Sequence, residues 1–198
     1  MTQAKVRFAS FEDYLTWSNA PENYLEGRYE LIDGELVELP TESELNGAIA
    51  VYILAQLLAV GFLSRLLRPY QCEIQVSVLE RGDAQTRLPD LTVLREEHLD
   101  LLKQRTTITL KMPPPRMIVE VASPGKRNQE RDYSRKSAQY EAIGVDEYWI
   151  ADPTRDCVTV FTLDEGKYLK REYQGKDIVP CSTCSALNLT AEQILSGG

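Results

Sequence analysis

Histidine is almost missing from this chain: 198 residues contain one, His98. A Ser-His-Asp hydrolase would have to run through that residue, which sits in the charged segment Arg95-Glu96-Glu97-His98, where a surface position is expected. Triad chemistry is therefore set aside. Cysteine is scarce too, and the four present (Cys72, Cys157, Cys181, Cys184) are too few and too scattered to staple a chain of this length. Reduced thiols are expected. Cys181 and Cys184 have C-x-x-C spacing, but no second Cys or His pair accompanies them, so neither a zinc nor a redox site is read there. Residues 1–10 lack an apolar run behind a basic start, so no signal or anchor is read and a cytoplasmic location is expected, with no membrane partner. Positive charge is in short supply: 22 Lys and Arg face 30 Asp and Glu, for a net charge of -8. That balance argues against indiscriminate coating of a polyanion. It leaves a local groove open, because a metal site must itself concentrate carboxylates.

The residues that are present describe an ordinary globular protein, with 43% hydrophobic and 26% charged side chains. No internal repeat or low-complexity linker divides it, and one α/β domain over residues 1–198 is expected. Ser10 is placed to cap a helix over residues 11–18, with Glu12 and Asp13 in its first turn. Two short apolar-alternating runs flank Asp33-Gly34, the signature of a tight hairpin. Residues 42–63 read as the main early helix, with Ile49, Tyr52, Ile53, Ala55, Leu57, Leu58 and Val60 on one broad face. A second hairpin is read from strands over residues 71–79 and 87–94, and a short charged helix over residues 95–105. After Pro113-Pro114-Pro115, residues 116–122 form a strand that is apolar on both faces. A helix over residues 128–143 closes at Gly144, strands follow near residues 147–150, 158–163 and 168–173, and a short helix near 190–195 ends the fold.

Two acids look misplaced in this pattern. Asp90 interrupts Leu88-Pro89-Asp90-Leu91-Thr92-Val93-Leu94, and Glu120 interrupts Met117-Ile118-Val119-Glu120-Val121. A lone carboxylate in an apolar strand is costly unless paired or bound to metal. The bland alternative, an edge-strand acid facing water, is hard to apply to Glu120 because its strand has no polar face. On the following helix Tyr133, Lys136, Ser137 and Tyr140 share one stripe, so Lys136 either snorkels over apolar surface or meets the two acids. Asp90, Glu120 and the Val121 carbonyl are hard oxygen donors of the kind that suit Mg2+ or Mn2+. Lys136 could then orient a water or stabilise developing negative charge.

The order Pro89-Asp90, Glu120-Val121-Ala122, then Lys136 resembles the PD-(D/E)xK nuclease superfamily. More specifically, Tyr29-Glu30-Leu31-Ile32-Asp33-Gly34-Glu35-Leu36, Leu88-Pro89-Asp90-Leu91, Glu120-Val121-Ala122-Ser123-Pro124 and Ala142-Ile143-Gly144-Val145-Asp146-Glu147-Tyr148-Trp149 resemble the Uma family of proposed restriction endonucleases, formerly a domain of unknown function. The resemblance spans roughly residues 10–195. It implies a restriction-endonuclease-like mixed β-sheet flanked by helices, with an N-terminal β-hairpin. It also implies a Mg2+-dependent (or Mn2+-dependent) endonuclease acting on DNA, with Asp90 and Glu120 as metal ligands, Glu30 as a further acidic site residue, and a homodimer. One departure matters: the superfamily lysine position, two after Glu120, holds Ala122, so Lys136 is the candidate for a migrated catalytic lysine.

Around this core the readings branch. Tyr140 and Asp132 are candidates to support Lys136, although Asp132 also fits a plain helix-face ion pair. Lys126, Arg127, Arg131 and Arg135 would suit phosphate contacts, or merely a solvated helix face. The competing function is a catalytically inactive nuclease-fold domain serving as a binding or assembly module.

Overall fold

Ser10 accepts the Asp13 N–H and starts α1 (Phe11–Ser18) in the computed structural model, which describes residues 6–23, 25–125 and 130–198. Strands β1 (Tyr29–Ile32) and β2 (Glu35–Glu38) pair antiparallel around Asp33 and Gly34. Both turn residues have positive φ, which the hairpin requires and which asparagine, aspartate and glycine best tolerate. Ser43 then caps α2 (Glu44–Ala59), which buries Ile49, Ala50, Ile53 and Leu57. Short strands β3 (Leu67–Pro69), β4 (Glu73–Gln75), β5 (Thr86–Arg87) and β6 (Leu91–Val93) follow, then α3 (His98–Leu101), β7 (Thr107–Ile108) and the fully buried β8 (Met117–Val121).

A wide helical turn of π geometry, Arg131–Lys136, runs into α4 (Ser137–Ile143), which Gly144 ends in the left-handed conformation. The chain finishes with β9 (Glu147–Asp152), β10 (Cys157–Asp164), β11 (Lys167–Tyr173), β12 (Ile178–Val179), β13 (Leu189–Thr190) and α5 (Ala191–Ser196). Six strands form the main sheet in the order β11-β10-β9-β8-β6-β3, with β8 and β9 as its parallel pair. Side chains alternate across this sheet. Met117, Val119, Val121, Trp149 and Ala151 pack on one face with α2 and α5, while Ile118, Tyr148 and Ile150 pack on the other with Tyr140 of α4 and Ile74 and Ile108 of a smaller β5-β4-β7 sheet. The mixed sheet, flanking helices and N-terminal hairpin match the expected architecture.

Several local expectations need correction. The strand read over residues 87–94 is two strands in two sheets: β5 pairs with β4, and β6 joins β8. Pro89 lacks an N–H and restricts the residue before it, so the chain turns at Leu88-Pro89-Asp90 instead of continuing one ladder. The strand read over 71–79 shrinks to β4, and β3, β7, β12 and β13 were not anticipated. The main early helix is shorter than residues 42–63, with Ala55 and Leu58 exposed on it and Val60 exposed just past its end. His98 is fully buried instead of on the surface. Its Nδ1 accepts the Arg95 N–H at 3.1 Å and its Nε2 lies 2.8 Å from the Pro113 carbonyl, so the ring ties a turn to the proline segment. All four cysteines are free and buried. The start expected at residue 128 lies outside the described residues.

Candidate active site

Strand register brings the two acids together. Leu91 lies opposite Val119 in the antiparallel β6–β8 pair, and one step further sets Asp90 against Glu120. Because side chains alternate, Glu120 leaves the sheet on the face covered by α4. There the Tyr140 hydroxyl donates to Glu120 Oε1 at 2.9 Å, and Lys136 Nζ stands 2.7 Å from Oε2. Asp90 Oδ2 accepts the Val121 N–H at 2.7 Å. Asp132, one turn before Lys136, lies 3.3 Å from the ammonium and is itself held by Arg131 at 2.9 Å.

Asp90, Glu120, Val121, Arg131 and Lys136 line a cleft with about 50 Å3 of open space, together with Arg28, Glu30, Glu42 and Ser123. Glu30 is not free in it: Arg87 Nη1 lies 2.8 Å from its Oε2. Gln139 accepts from Arg87 Nε at 2.9 Å and passes its own amide N–H groups to the Ser77 and Ala84 carbonyls. Arg28 Nη1 pairs with Glu42 at 2.9 Å, and its Nη2 reaches Asp90 Oδ1 at 3.4 Å. Among the described residues five acids (Glu30, Glu42, Asp90, Glu120, Asp132) thus meet four cations (Arg28, Arg87, Arg131, Lys136), one acid more than the cations.

Burial and the neighbouring charges compete in setting the proton affinities. It pushes the Asp90 carboxyl up to about 7, helped by the neighbouring Glu120 charge and opposed by the Val121 N–H. Burial raises Glu120 as well, against the attraction of Lys136. For Lys136 burial favours the neutral amine, but Glu120 and Asp132 outweigh it and hold the lysine above its ordinary value, so it is an ammonium. Burial also pushes Asp132 upward, yet Lys136 and Arg131 prevail and keep it low.

Among the described residues no group of three or more His, Cys, Asp or Glu side chains is arranged to hold a metal ion. The available donor set is smaller: Asp90, Glu120 and the Val121 main chain, all hard oxygens. Mg2+ is usually held by one or two carboxylates and keeps several waters, so this set fits it. Asp90 supports the fit, since a carboxylate so dry and so weakly paired is one that a cation would relieve.

The expected residues Asp90, Glu120, Val121, Lys136 and Glu30 therefore share one cleft. Tyr140 touches Glu120, and Asp132 is buried against Lys136, not spread on a solvated helix face. Arg131 lines the cleft while paired with Asp132, whereas Arg135 pairs with Asp83 at 3.2 Å away from it. Lys126 and Arg127 lie outside the described residues. Arg28, Glu42, Arg87 and Gln139 escaped the sequence reading. The two arginines gave no local signal, because Arg28 reaches Asp90 and Arg87 reaches Glu30 across 62 and 57 positions.

The sheet order, the hairpin and the covering helices define a restriction-endonuclease-like fold. A putative nuclease belonging to DUF820 from Anabaena variabilis ATCC 29413 has a crystal structure that shares it: TM-score 0.64, 17% identity, covering 94% of this chain and 97% of that one. At that identity the likeness shows the fold alone. No curated protein matches the chain. Residues 11–192 match the Uma2 family model, described as "Putative restriction endonuclease", and the chain belongs to that family.

Proposed function

We propose that the protein is a Mg2+-dependent (or Mn2+-dependent) endonuclease that hydrolyses DNA phosphodiester bonds in the Asp90–Glu120–Lys136 cleft. The observation that carries this reading is the 2.7 Å contact between Lys136 Nζ and Glu120 Oε2 inside a cleft shared with Asp90. Asp90, Glu120 and the Val121 carbonyl would hold the ion. When bound, such an ion supplies Lewis-acid neutralisation of phosphate charge and makes coordinated water more acidic.

The chain's own groups do the rest. Lys136 replaces the lysine that Ala122 displaces. It donates N–H toward the attacking water or a phosphate oxygen, and its charge is held in place by Asp132 and Glu120. Tyr140 fixes the orientation of Glu120 through the other carboxylate oxygen. Glu30, neutralised by Arg87, closes the acidic side of the cleft. Water adds across the phosphodiester, its oxygen bonding to phosphorus as the bond to the leaving oxygen breaks.

The test is nicking of supercoiled plasmid in Mg2+ or Mn2+ by wild type, Asp90→Asn, Glu120→Gln and Lys136→Met. Losses of about 100-fold in each variant are expected, the scale of removing one preorganised charge from a transition state. Equal residual cutting in all four would reject the assignment. A second reading, an inactive nuclease fold used as a binding module, draws on the near balance between the cleft's acids and its own Arg and Lys side chains. Calorimetric titration of Mn2+ separates the two: affinity that depends on Glu120 supports the enzyme, and none supports the module.

A further inference from the structure

Arg28 enters the cleft just before β1 and lays its guanidinium over the Tyr70 ring, 4.8 Å from the ring centre. One end of that guanidinium is committed, because Nη1 lies 2.9 Å from Glu42 Oε1. The opposite edge is not. Among the described residues Nη2 makes only long contacts of 3.4 Å, to Asp90 Oδ1 and to the Leu88 carbonyl, and Nε is buried with no hydrogen-bond partner. Nε and Nη2 form the side-on fork of an arginine, whose two parallel N–H bonds match a pair of oxygens on carboxylate or phosphate.

The platform beneath the guanidinium is itself unusual. Tyr70 has φ 55, a conformation that costs a side-chain-bearing residue, and its N–H donates to the Asp90 carbonyl at 3.0 Å. Its hydroxyl is buried with no hydrogen-bond partner among the described residues, and its ring packs against the main core on one side and under Arg28 on the other. A strained tyrosine tied to Asp90 thus carries an arginine whose fork is only half used and borders Asp90.

We infer that Arg28 is the substrate-phosphate ligand of the cleft, its Nε and Nη2 edge receiving two non-bridging oxygens of the phosphodiester, with Tyr70 as its positioning residue. This rests on the nuclease reading above and assigns the phosphate grip within it. Glu42 anchors the far nitrogen, so the movement that uncovers the buried Nε for a phosphate is a swing of the guanidinium about that anchor. The loose contact with Asp90 keeps the edge near the acid pair without saturating it.

The test uses a short fluorescent DNA duplex, with Ca2+ replacing Mg2+ to prevent cutting, and follows binding by anisotropy across a salt series. Arg28→Lys keeps the charge and loses the fork, so it should weaken binding about 10-fold with the salt slope unchanged. Arg28→Gln loses both and should weaken it about 100-fold, with the slope of log affinity against log salt falling by about 0.9. Tyr70→Leu should weaken binding while keeping that slope. Mn2+ affinity by calorimetry should stay within about threefold of wild type in Arg28→Lys, and melting midpoints confirm folding. Duplex binding by both Arg28 variants equal to wild type would overturn the inference and leave the nuclease reading intact. A parallel loss of Mn2+ affinity would also overturn it, because Arg28 would then merely hold Asp90 in place. Wild type that fails to bind the duplex overturns both, and wild type that binds it but takes up no Mn2+ removes only the metal-dependent chemistry.

Discussion

Replacing Asp90 by asparagine removes one negative charge from a dry part of the cleft while keeping the shape of the side chain. Asp90 is 3% exposed, and its carboxyl is moved from an ordinary 3.8 to about 7. A carboxyl whose folded value is raised favours the protonated form in the fold. Its penalty is therefore absent below the unfolded value near 4, grows as pH rises, and is complete above about 7. At about 1.4 kcal/mol per pH unit the full cost is roughly 4 kcal/mol, of which about 2.5 kcal/mol accrues between pH 5 and pH 8. In chelator, the melting midpoint of Asp90→Asn relative to wild type should therefore rise between those two pH values by about 5–10 °C, at about 2–4 °C per kcal/mol for a chain of this size. Asparagine can still accept the Val121 N–H through its oxygen, so that bond does not distinguish the two proteins. On the metal-site proposal, adding Mn2+ at the higher pH should stabilise wild type and narrow the gap, because the ion would bind the ionised acid. A difference in midpoint that stays flat across the pH range, measured by calorimetry in chelator, would refute the claim that Asp90 is a penalised carboxylate.

Other perturbations read different parts of the fold. Lys136→Met leaves Glu120 and Asp132 facing each other without the ammonium, and should cost about 3 kcal/mol in urea unfolding. Gly34→Ala should lower stability by about 1–3 kcal/mol, since φ is 79 there and a Cβ would collide with the Phe8 carbonyl oxygen; denaturant titration checks it. Glu147→Gln should destabilise by about 2–3 kcal/mol without altering Mn2+ affinity, because the new amide N–H2 would point at groups that already donate.

The elements that sequence announced are those set by local chemistry. Ser10, Asp33-Gly34 and Gly144 fixed a helix start, a turn and a helix end through bonds within a few residues. What stayed hidden depends on distant partners. The break at Pro89 was visible, but only the pairing of Arg87 with Ile74 and of Leu91 with Val119 shows that the chain changes sheets there. His98 sits among charges in sequence and yet faces a carbonyl 15 residues away. Arg28 and Arg87 reach acids 62 and 57 positions distant, separations that no periodicity reports.

Glu147 sharpens the argument about misplaced acids. Like Glu120 it is a buried glutamate in an apolar strand, fully covered by its surroundings. Yet it leaves the sheet on the opposite face, beside Trp149, whose indole N–H donates to it at 2.8 Å. The loop Cys181-Ser182-Thr183-Cys184 wraps its carboxylate with the Ser182 N–H at 3.2 Å, the Ser182 hydroxyl at 2.8 Å and the Thr183 N–H at 2.7 Å. That set of donors explains the C-x-x-C spacing as a tight turn over a carboxylate, with both thiols packed in the core. Two glutamates of equal burial thus differ in what they face: Glu147 meets neutral donors that satisfy it permanently, and Glu120 meets a lysine and a cleft. Burial alone therefore identifies a carboxylate that must be paid for, and the nature of its partners decides whether it is a structural pin or a site.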